Sequence, residues 1–495
     1  MDLSRRSFIR WVLGAGAAMA CPFPIKAGER PAPAPAKLGS ENFTVCHSVR
    51  DGDSMPVPAP DKKVGVLIVG GGPTGLAAAD ELKGADWLLL EKEPHVGGNC
   101  RPEEWEGLKY STAAAWDSIA DPDFKRLSER WKFDWKKIEG EDTVIYDGVA
   151  VRNFWTGRAD NPALDKLPFP KSVRDGFKKF AADIEHLDLA ANLQSLDNQT
   201  FASVLEGYPT QLKAFFDAFG PSNYGSVTED TSAYVGLGVA RDWFQTPRYT
   251  WEGGIGPATQ KVLDSIGKTD RILTGATVYK VRRKGKSVWV SFFQDGKPRT
   301  VEAKSVIMAS PKFITRHLVE DLPEDQHAAM GAMRYAPFVV YNLCFDRAVY
   351  DAGYDTYPIG AKNFADIIPA DWVTHAGKGD PGRKQVLTIY APRPESERLN
   401  LTDDAKTLAM AHAAAQEVVD LIPGSAEHLR EVRIARRGHP MPMSIPGMVT
   451  RIQPLARRDL APVYFAHSDS QGEISDFFYA ALAGLDAASK AAKHL

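Results

Sequence analysis

The sequence has few cysteines, no excess of either charge and no long hydrophobic run. Only four of the 495 residues are cysteines and none forms a C-x-x-C pair, which excludes a disulfide framework and a zinc or cluster site, although a disulfide involving Cys46 stays open. The 60 basic and 63 acidic residues nearly balance, so the sequence lacks the excess of positive charge that is typical of nucleic-acid-binding proteins. No uncharged segment reaches the roughly 20 residues that span a bilayer. A soluble chain of two or three domains with a small-molecule partner is expected.

The first residues are typical of an export signal. Ser4–Arg10 contains two adjacent arginines and precedes an uncharged stretch, rich in Ala and Gly, that ends at Ala20. This order resembles a twin-arginine signal over residues 1–20, which implies a periplasmic or secreted protein that is exported already folded, often around a cofactor. A lipid anchor at Cys21 is the alternative. Residues 21–61 are expected to form a proline-rich N-terminal segment outside the folded domains.

A strand-helix-strand unit is predicted next. Val64–Val69 is uniformly apolar, as expected for a central strand of a parallel sheet, and it ends in the sequence Gly70-Gly-Gly-Pro-Thr-Gly75. Leu76–Leu82 has high helix propensity, and Asp86–Leu90 is a second apolar strand that ends at Glu91. This arrangement predicts a βαβ unit with a glycine-rich turn between its first strand and its helix.

The glycine-rich turn has the spacing of a dinucleotide-binding site. Gly70, Gly72 and Gly75 allow a tight turn, a close backbone approach to a pyrophosphate and close packing of the helix on the strand. The helix N-terminus then faces the phosphates. Glu91 follows Gly70 by 21 residues, at the end of the second strand, where a carboxylate accepts hydrogen bonds from ribose hydroxyls.

A second glycine pair indicates which dinucleotide is bound. In Glu91-Lys92-Glu-Pro-His-Val-Gly97-Gly98-Asn99 the pair follows the ribose-binding carboxylate. This order resembles the flavin amine oxidase superfamily, which includes L-amino-acid oxidases and phytoene-desaturase-like enzymes. The resemblance implies an α/β fold, in which a Rossmann-like FAD-binding domain with a parallel sheet and a β-meander is interleaved with a mixed α+β substrate domain.

The resemblance recurs in two later segments. The first segment contains a strand with Val278, a β-meander and a returning strand that ends before Ser310. The second contains a strand, a turn with Asp469 and a helix that begins near Phe477. In this family the amides at the start of that helix face the flavin. The residues that the resemblance assigns to FAD are Gly70, Gly72, Pro73, Thr74, Gly75, Glu91, Lys92, Gly97, Gly98, Asn99, Val278, Ser310, Asp469, Asp476 and Phe477.

The order of these segments predicts two interleaved domains. The FAD-binding domain is expected to comprise residues 62–120, 250–322 and 424–495. The substrate domain is expected to comprise residues 121–249, which are mostly helical, and residues 323–423, which are mixed.

Departures from the amine oxidase pattern bear on catalysis. By spacing, the aromatic pair that guides amines in such enzymes falls near Pro440 and on Asp476, and the cysteine that binds flavin covalently in some relatives falls near His439. Non-covalent FAD is therefore expected. His439 and Asp476 are candidate catalytic residues at the flavin face, although a loop histidine and a helix cap explain them equally well.

Two further features concern catalysis and metals. Lys312 is a candidate for the lysine that holds a water near the flavin N5 in many such oxidases, with an exposed surface lysine as the alternative. The sequence from His439 to Met443 has donor atoms that suit copper, but it is interpreted as a rigid proline loop over the flavin, and no metal site is assigned.

The expected function is that of an exported FAD-dependent oxidoreductase of the flavin amine oxidase type. It would transfer a hydride from an amine or amino-acid-like substrate to flavin N5 and pass electrons to O2 or another acceptor. The alternatives are a desaturase or isomerase of an apolar substrate, and a flavoprotein scaffold without turnover.

Overall fold

The computed structural model describes residues 34–39, 41–118, 123–139, 142–375 and 382–495. The arginine pair, Ala20 and Cys21 lie outside these ranges. Within them, no helix is long and apolar enough to cross a membrane.

The strands and helices of the described chain are numbered in chain order. The strands are β1 (Ala36–Leu38), β2 (Lys62–Val69), β3 (Trp87–Leu90), β4 (Pro102–Trp105), β5 (Leu108–Ser111), β6 (Asp117–Ser118), β7 (Lys136–Lys137), β8 (Thr143–Tyr146), β9 (Val149–Arg152), β10 (Arg248–Thr250), β11 (Ile272–Leu273), β12 (Ala276–Lys284), β13 (Ser287–Gln294), β14 (Lys297–Met308), β15 (Tyr335–Phe345), β16 (Thr356–Pro358), β17 (Asp366–Pro369), β18 (Gln385–Pro392), β19 (Leu429–Pro442) and β20 (Val463–Phe465). The α-helices are α1 (Thr44–Arg50), α2 (Pro73–Glu81), α3 (Asp123–Trp131), α4 (Lys171–Glu185), α5 (Leu193–Asp197), α6 (Phe201–Val204), α7 (Thr210–Asn223), α8 (Ala233–Asp242), α9 (Gly256–Ile266), α10 (Lys312–Leu318), α11 (Glu324–Ala332), α12 (Trp372–His375), α13 (Asp404–Leu421), α14 (Gln453–Ala456) and α15 (Phe477–Ala491).

A seven-stranded sheet contains the predicted βαβ unit. Its order is β11-β3-β2-β14-β13-β12, with β20 beside β14. Strands β11, β3, β2, β14 and β20 run parallel, whereas β12, β13 and β14 form an antiparallel meander. The α/β fold with a Rossmann-like sheet and a β-meander, as predicted from the sequence, is confirmed.

Strand β2 is apolar on both faces because both faces are covered. Val66 and Ile68 pack with α2, α9 and α15 in one core cluster. Val64, Leu67 and Val69 pack with the meander and with α10 and α11 in another. A strand buried on both sides cannot show the alternation of a half-exposed strand, which explains the continuous apolar run in the sequence.

The second large sheet has eight strands in the order β1-β19-β15-β18-β17-β16-β8-β9. Strand β19 pairs antiparallel with β15, from Tyr335 opposite Pro442 to Phe345 opposite Leu429. Residues 429–442 therefore lie in this sheet, whereas the sequence analysis placed all of 424–495 in the FAD-binding domain. A two-stranded hairpin (β4, β5) and a three-stranded sheet (β6, β10, β7) complete the strands described.

Residues 36–39 and 41–50 correct a second expectation. Strand β1 adds to the edge of the eight-stranded sheet, beside β19, and Cys46 and Val49 of α1 pack against the core of the seven-stranded sheet. This part of the N-terminal segment is built into the folded protein. The cysteines at positions 46, 100 and 344 are all free, so Cys46 forms no disulfide in this structure.

Candidate active site

A cavity of about 1020 Å³ lies where the two large sheets meet. Its walls include the carboxyl ends of β2, β3 and β14, residues of β15, β18 and β19, and helices α1 and α15. In an open parallel sheet this edge is where ligands bind, because loops and helix N-termini converge there. The volume is at the upper end of the range for small-molecule and cofactor pockets.

The first glycine turn stands at one end of the cavity. A Cβ atom on Gly75 would lie 1.9 Å from the Gly70 carbonyl oxygen, and one on Gly70, whose φ is +111°, would lie 2.5 Å from the Ala309 oxygen. Gly72 is the N-cap of α2 and makes no side-chain capping bond, with Pro73 at the first helical position. The first-turn amides of α2 are thus presented to a ligand rather than capped by the protein.

The second glycine turn packs against the first. The Gly97 amide donates to the Gly71 carbonyl oxygen at 2.8 Å, and Gly97 and Gly98 have φ values of +112° and +56°. A Cβ atom on Gly98 would lie 3.1 Å from the Gly72 Cα atom. The backbones of the two glycine turns approach each other so closely that no side chain would fit between them. A pyrophosphate that binds between two turns requires this arrangement.

Glu91 holds the end of β3 beside these turns. Its Oε2 accepts the Gly71 amide at 2.6 Å and its Oε1 accepts the Glu93 amide at 2.8 Å. The side chain lines the cavity, and burial raises its pKa although the two amides act in the opposite direction. Lys92 also lines the cavity, but its Nζ donates to the Asn42 carbonyl oxygen at 3.0 Å and pairs with Glu93.

Five more of the residues assigned to FAD also line the cavity. Thr74, Asn99, Val278, Ser310 and Phe477 line the same cavity as the glycine turns. Asn99 also donates to the Pro440 carbonyl oxygen at 3.1 Å, which joins the second turn to β19. The close-packed glycines, the uncapped helix N-terminus and the buried carboxylate at a strand end together fit the dinucleotide that the resemblance implies.

Asp469 and Lys312 form a buried ion pair with each other. Both side chains are completely buried, and neither is among those that line the cavity. The Lys312 Nζ lies 2.7 Å from the Asp469 carboxylate and 2.8 Å from the Ser470 hydroxyl. The alternative of an exposed surface lysine is therefore wrong, whereas a role of Lys312 near the reaction site stays a prediction.

Asp476 lines the cavity together with a second carboxylate, Asp117. Asp476 is the N-cap of α15 and accepts the Tyr479 amide at 2.7 Å. Asp117 is 5% exposed and accepts the Ser118 amide at 2.8 Å. Burial, and then the neighbouring Asp476, raise the pKa of Asp117 well above its ordinary value. One amide of the first turn of α15 is thus bound by a carboxylate.

His439 lines another part of the cavity wall. Its ring stacks on Phe313 with centroids 4.1 Å apart, and Tyr335 lies edge-on at 6.3 Å. Burial lowers the pKa of His439 to about 3, and the Arg398 charge acts in the same direction. The imidazole is accordingly neutral over the physiological range.

Aromatic side chains line the cavity on the side of Asp117. Trp116 meets Trp243 edge to face at 5.4 Å, and Phe338 meets Tyr390 in the same way at 5.4 Å. The Tyr390 hydroxyl accepts the Ala115 amide at 3.0 Å, so it fixes the loop that carries Asp117. The Arg248 guanidinium lies 5.0 Å over the Trp116 ring and already occupies one position against it.

Two parts of the site were missed at the sequence level. One is Asp117, which stands outside every motif used for the sequence predictions. The other is α1, which contributes Cys46 and neighbouring residues to the cavity. Among the described residues, no group of three or more His, Cys, Asp or Glu side chains is placed to hold a metal ion.

Comparisons with known proteins agree with this geometry. Residues 73–490 match the family described as flavin containing amine oxidoreductase. The oxidoreductase PigB from Serratia sp. (strain ATCC 39006) is 22% identical over 529 aligned positions, which cover 88% of this chain and 77% of PigB.

Two solved structures share the fold. Putrescine oxidase bound to putrescine has a TM-score of 0.65 at 17% identity, over 86% of this chain and 98% of that one. Cyclohexylamine oxidase from Brevibacterium oxydans IH-35A has a TM-score of 0.66 at 17% identity, over 87% and 99%.

Proposed function

This chain belongs to the flavin-containing amine oxidoreductase family, and from this premise we propose that it is an exported FAD-dependent oxidase of an amine or amino-acid-like substrate. The observation that carries the substrate proposal is the pair Asp117 and Asp476 in a cavity that begins at the glycine turns. An amine is a cation at neutral pH, and two carboxylates with aromatic faces beside them are the groups that attract it.

The two carboxylates also suit the proton that an ammonium group must lose before oxidation. Because burial and the neighbouring Asp476 raise the pKa of Asp117, the pair favours a state in which Asp117 keeps its proton. An entering ammonium group would favour the ionised form of Asp117, which then accepts its proton. The pair would act as the general base of the reaction, and Trp116, Trp243, Phe338 and Tyr390 would exclude water around it.

The remaining residues serve the cofactor and the approach of the substrate to it. When bound, FAD supplies the acceptor for a hydride. The glycine turns and Glu91 would hold its diphosphate and ribose. His439, neutral and fixed by Phe313, would position the substrate through one hydrogen bond without adding charge. We therefore keep Asp476 and His439 as candidate site residues and add Asp117.

Non-covalent binding of FAD is part of the proposal. The two described cysteines on the cavity wall, Cys46 and Cys100, have pKa values raised by burial, which keeps them as thiols of low nucleophilicity. Precipitation of the protein in acid should release the flavin into the supernatant. Flavin that stays with the pellet would show a covalent bond.

The electron acceptor and the location belong to the same proposal. Oxygen or another acceptor would reoxidise the enzyme, and the arginine pair at positions 5 and 6 would direct export by the twin-arginine route. Cell fractionation of the natural chain and of a variant with both arginines replaced by lysine tests the route. A periplasmic or secreted wild type and a retained variant are expected, and equal distribution of both would exclude it.

The decisive experiment is an anaerobic panel of substrates monitored by flavin absorbance. Amines or amino acids should bleach the oxidised flavin band, and readmission of oxygen or addition of an artificial acceptor should restore it. Bleaching by apolar polyenes alone would instead support a desaturase, which the largely apolar wall also admits. No bleaching by any donor would favour a flavoprotein without turnover.

A further inference from the structure

The N-terminal segment is attached to the eight-stranded sheet at one end. Strand β1 pairs parallel with β19, from Ala36 opposite Val432 to Leu38 opposite Ile434. The Gly39 amide extends the ladder by donating to the Ile434 carbonyl oxygen at 2.8 Å. This pairing fixes where the chain enters the region of the cavity.

Two consecutive residues then join the two large sheets. Glu41 reaches Arg437 on β19, with 3.7 Å between its Oε1 and the arginine Nε. Asn42 reaches the other side: its amide donates to the Glu93 carboxylate at 3.1 Å, and its Nδ2 donates to the Thr277 hydroxyl on β12 at 3.2 Å. The Lys92 ammonium donates to the Asn42 carbonyl oxygen at 3.0 Å.

Helix α1 continues this connection between the sheets along the cavity. Residues 41–50 together are called the crossing. Its residues Cys46, His47 and Arg50 line the cavity, as do Glu41, Asn42 and Phe43 before it. Val49 packs on the core of the seven-stranded sheet. The whole crossing precedes residue 73, where the match to the family begins.

The contacts of the crossing lie at one half of the proposed cofactor site. Glu91, Lys92 and Val278 are the residues proposed to surround the ribose and adenine of FAD, and Asn42 bonds to the neighbouring Lys92, Glu93 and Thr277. We propose that residues 41–50 form a strap that closes over the adenosine half of bound FAD and controls its release. This inference rests on the proposed function, because it requires FAD to occupy the cavity.

A retained cofactor has a particular value for an exported flavoprotein. Export in the folded state would carry FAD out of the compartment that makes it, and a protein that lost the cofactor outside would not regain it. A strap that has to open before the adenosine leaves lowers the dissociation rate without new contacts to the reacting ring. It acts on retention and leaves the chemistry of substrate oxidation unchanged.

The first test measures the rate of FAD release from the purified holoprotein after dilution, by the recovery of flavin fluorescence. Replacing Asn42 by Ala removes the two side-chain hydrogen bonds of the strap, to the Lys92 carbonyl oxygen and the Thr277 hydroxyl, so release should become about 30-fold faster. Asn198→Ala, which removes an exposed amide that donates to the Gln194 carbonyl oxygen, is the matched control and should leave the rate unchanged. Equal rates in the wild type and Asn42→Ala would contradict the strap.

The second test uses Cys46 as a reporter of the strap in the unaltered chain. Its thiol lines the cavity and the protein contains it in a free form, so iodoacetamide labelling can be followed by peptide mass. The FAD-loaded protein should label at Cys46 at least several-fold more slowly than protein from which FAD has been removed. Equal labelling in the two forms would show that the cofactor does not lie beneath the strap.

The outcomes separate the strap from the function on which it rests. Failure of the wild type to bind FAD even after reconstitution contradicts the proposed function itself. Normal FAD binding, with release insensitive to Asn42→Ala and labelling insensitive to FAD, contradicts the strap alone.

Discussion

The Lys312 Nζ atom lies 2.7 Å from the Asp469 carboxylate, and neither side chain is exposed to solvent. The Lys312 amide and the Tyr335 hydroxyl also donate to this carboxylate, at 2.9 and 2.7 Å. Burial alone would raise the pKa of Asp469, but the Lys312 and His467 charges outweigh it and hold the pKa below its ordinary value. The pair fastens the start of α10 to the turn that follows β20.

Breaking this ion pair should destabilise the protein strongly. Asp469→Asn leaves the Lys312 charge buried without a counter-ion, which costs about 3–5 kcal/mol in the free energy of unfolding measured by urea denaturation. Because the folded-state pKa of Asp469 is lowered, the loss should be present at every pH above about 4 and fade only in acid. Glu129→Gln, in the exposed pair with Lys125, is the control and should cost less than about 1 kcal/mol. Similar losses in both variants would contradict this account.

Removing the Glu91 carboxylate should weaken FAD binding. Glu91→Ala deletes the acceptor of the Gly71 and Glu93 amides together with the proposed ribose contact. The dissociation constant for FAD, measured by fluorescence titration of the flavin-free protein, should rise tenfold or more. Glu206→Ala, an exposed glutamate, should not change it. An unaltered affinity in Glu91→Ala would show that the ribose lies elsewhere.

Asp355 should make stability depend on pH. Burial, followed by the Asp142 charge, raises its pKa to about 8. A raised folded-state pKa means that the folded protein loses stability as the pH rises from about 4, the unfolded value, towards 8. Asp355→Asn should therefore gain in melting temperature relative to the wild type as the pH is raised from 5 to 8. Asp147→Asn, at an exposed turn, should differ from the wild type by the same amount at each pH.

Asp117 should set the acidic limb of the pH profile for amine oxidation. If it accepts the substrate proton, kcat/KM rises as its carboxyl ionises, and Asp117→Asn should remove that limb and lower kcat/KM by about 100-fold. FAD content, measured by absorbance, should stay normal. Asp264→Asn, an exposed residue of α9, serves as the control. A variant that keeps the limb would assign the base to another group.

His439 should influence the rate without influencing the pH profile. With a pKa of about 3, its imidazole is uncharged from pH 5 to pH 9. His439→Gln should lower kcat/KM for the amine and leave both limbs of the profile in place. Disappearance of a limb between pH 5 and pH 8 would mean that the histidine titrates during the reaction.

The elements that the sequence predicted correctly are those with a local physical signature. Val64–Val69 is apolar throughout because both of its faces are buried, and Gly70 and Gly75 are glycines because any side chain would collide with backbone. Spacing along the chain is enough to detect such features. The fold follows from them once their order is compared with that of a family.

The parts that were not predicted depend on contacts between distant residues. Lys312 and Asp469 are 157 positions apart, and only the packing of α10 on the turn after β20 shows that they neutralise each other. Burial raises the pKa of Asp117, and Asp476, which comes from the far end of the chain, raises it further. The crossing at Glu41 and Asn42 was hidden by the proline-rich composition around it, although Phe43, Cys46 and Val49 have the spacing of one helical face.

The parallel pairing of β2, β14 and β20 has a consequence for biosynthesis. These neighbours in one sheet come from the beginning, the middle and the end of the folded chain, and Phe477, directly after them, lines the cavity. A ribosome-bound chain that lacks residues 463–491 therefore has an incomplete cofactor site, and long-range pairing of this kind is slow. Until β20 pairs with β14, the edge of β14 from Val306 to Met308 carries unpaired backbone groups.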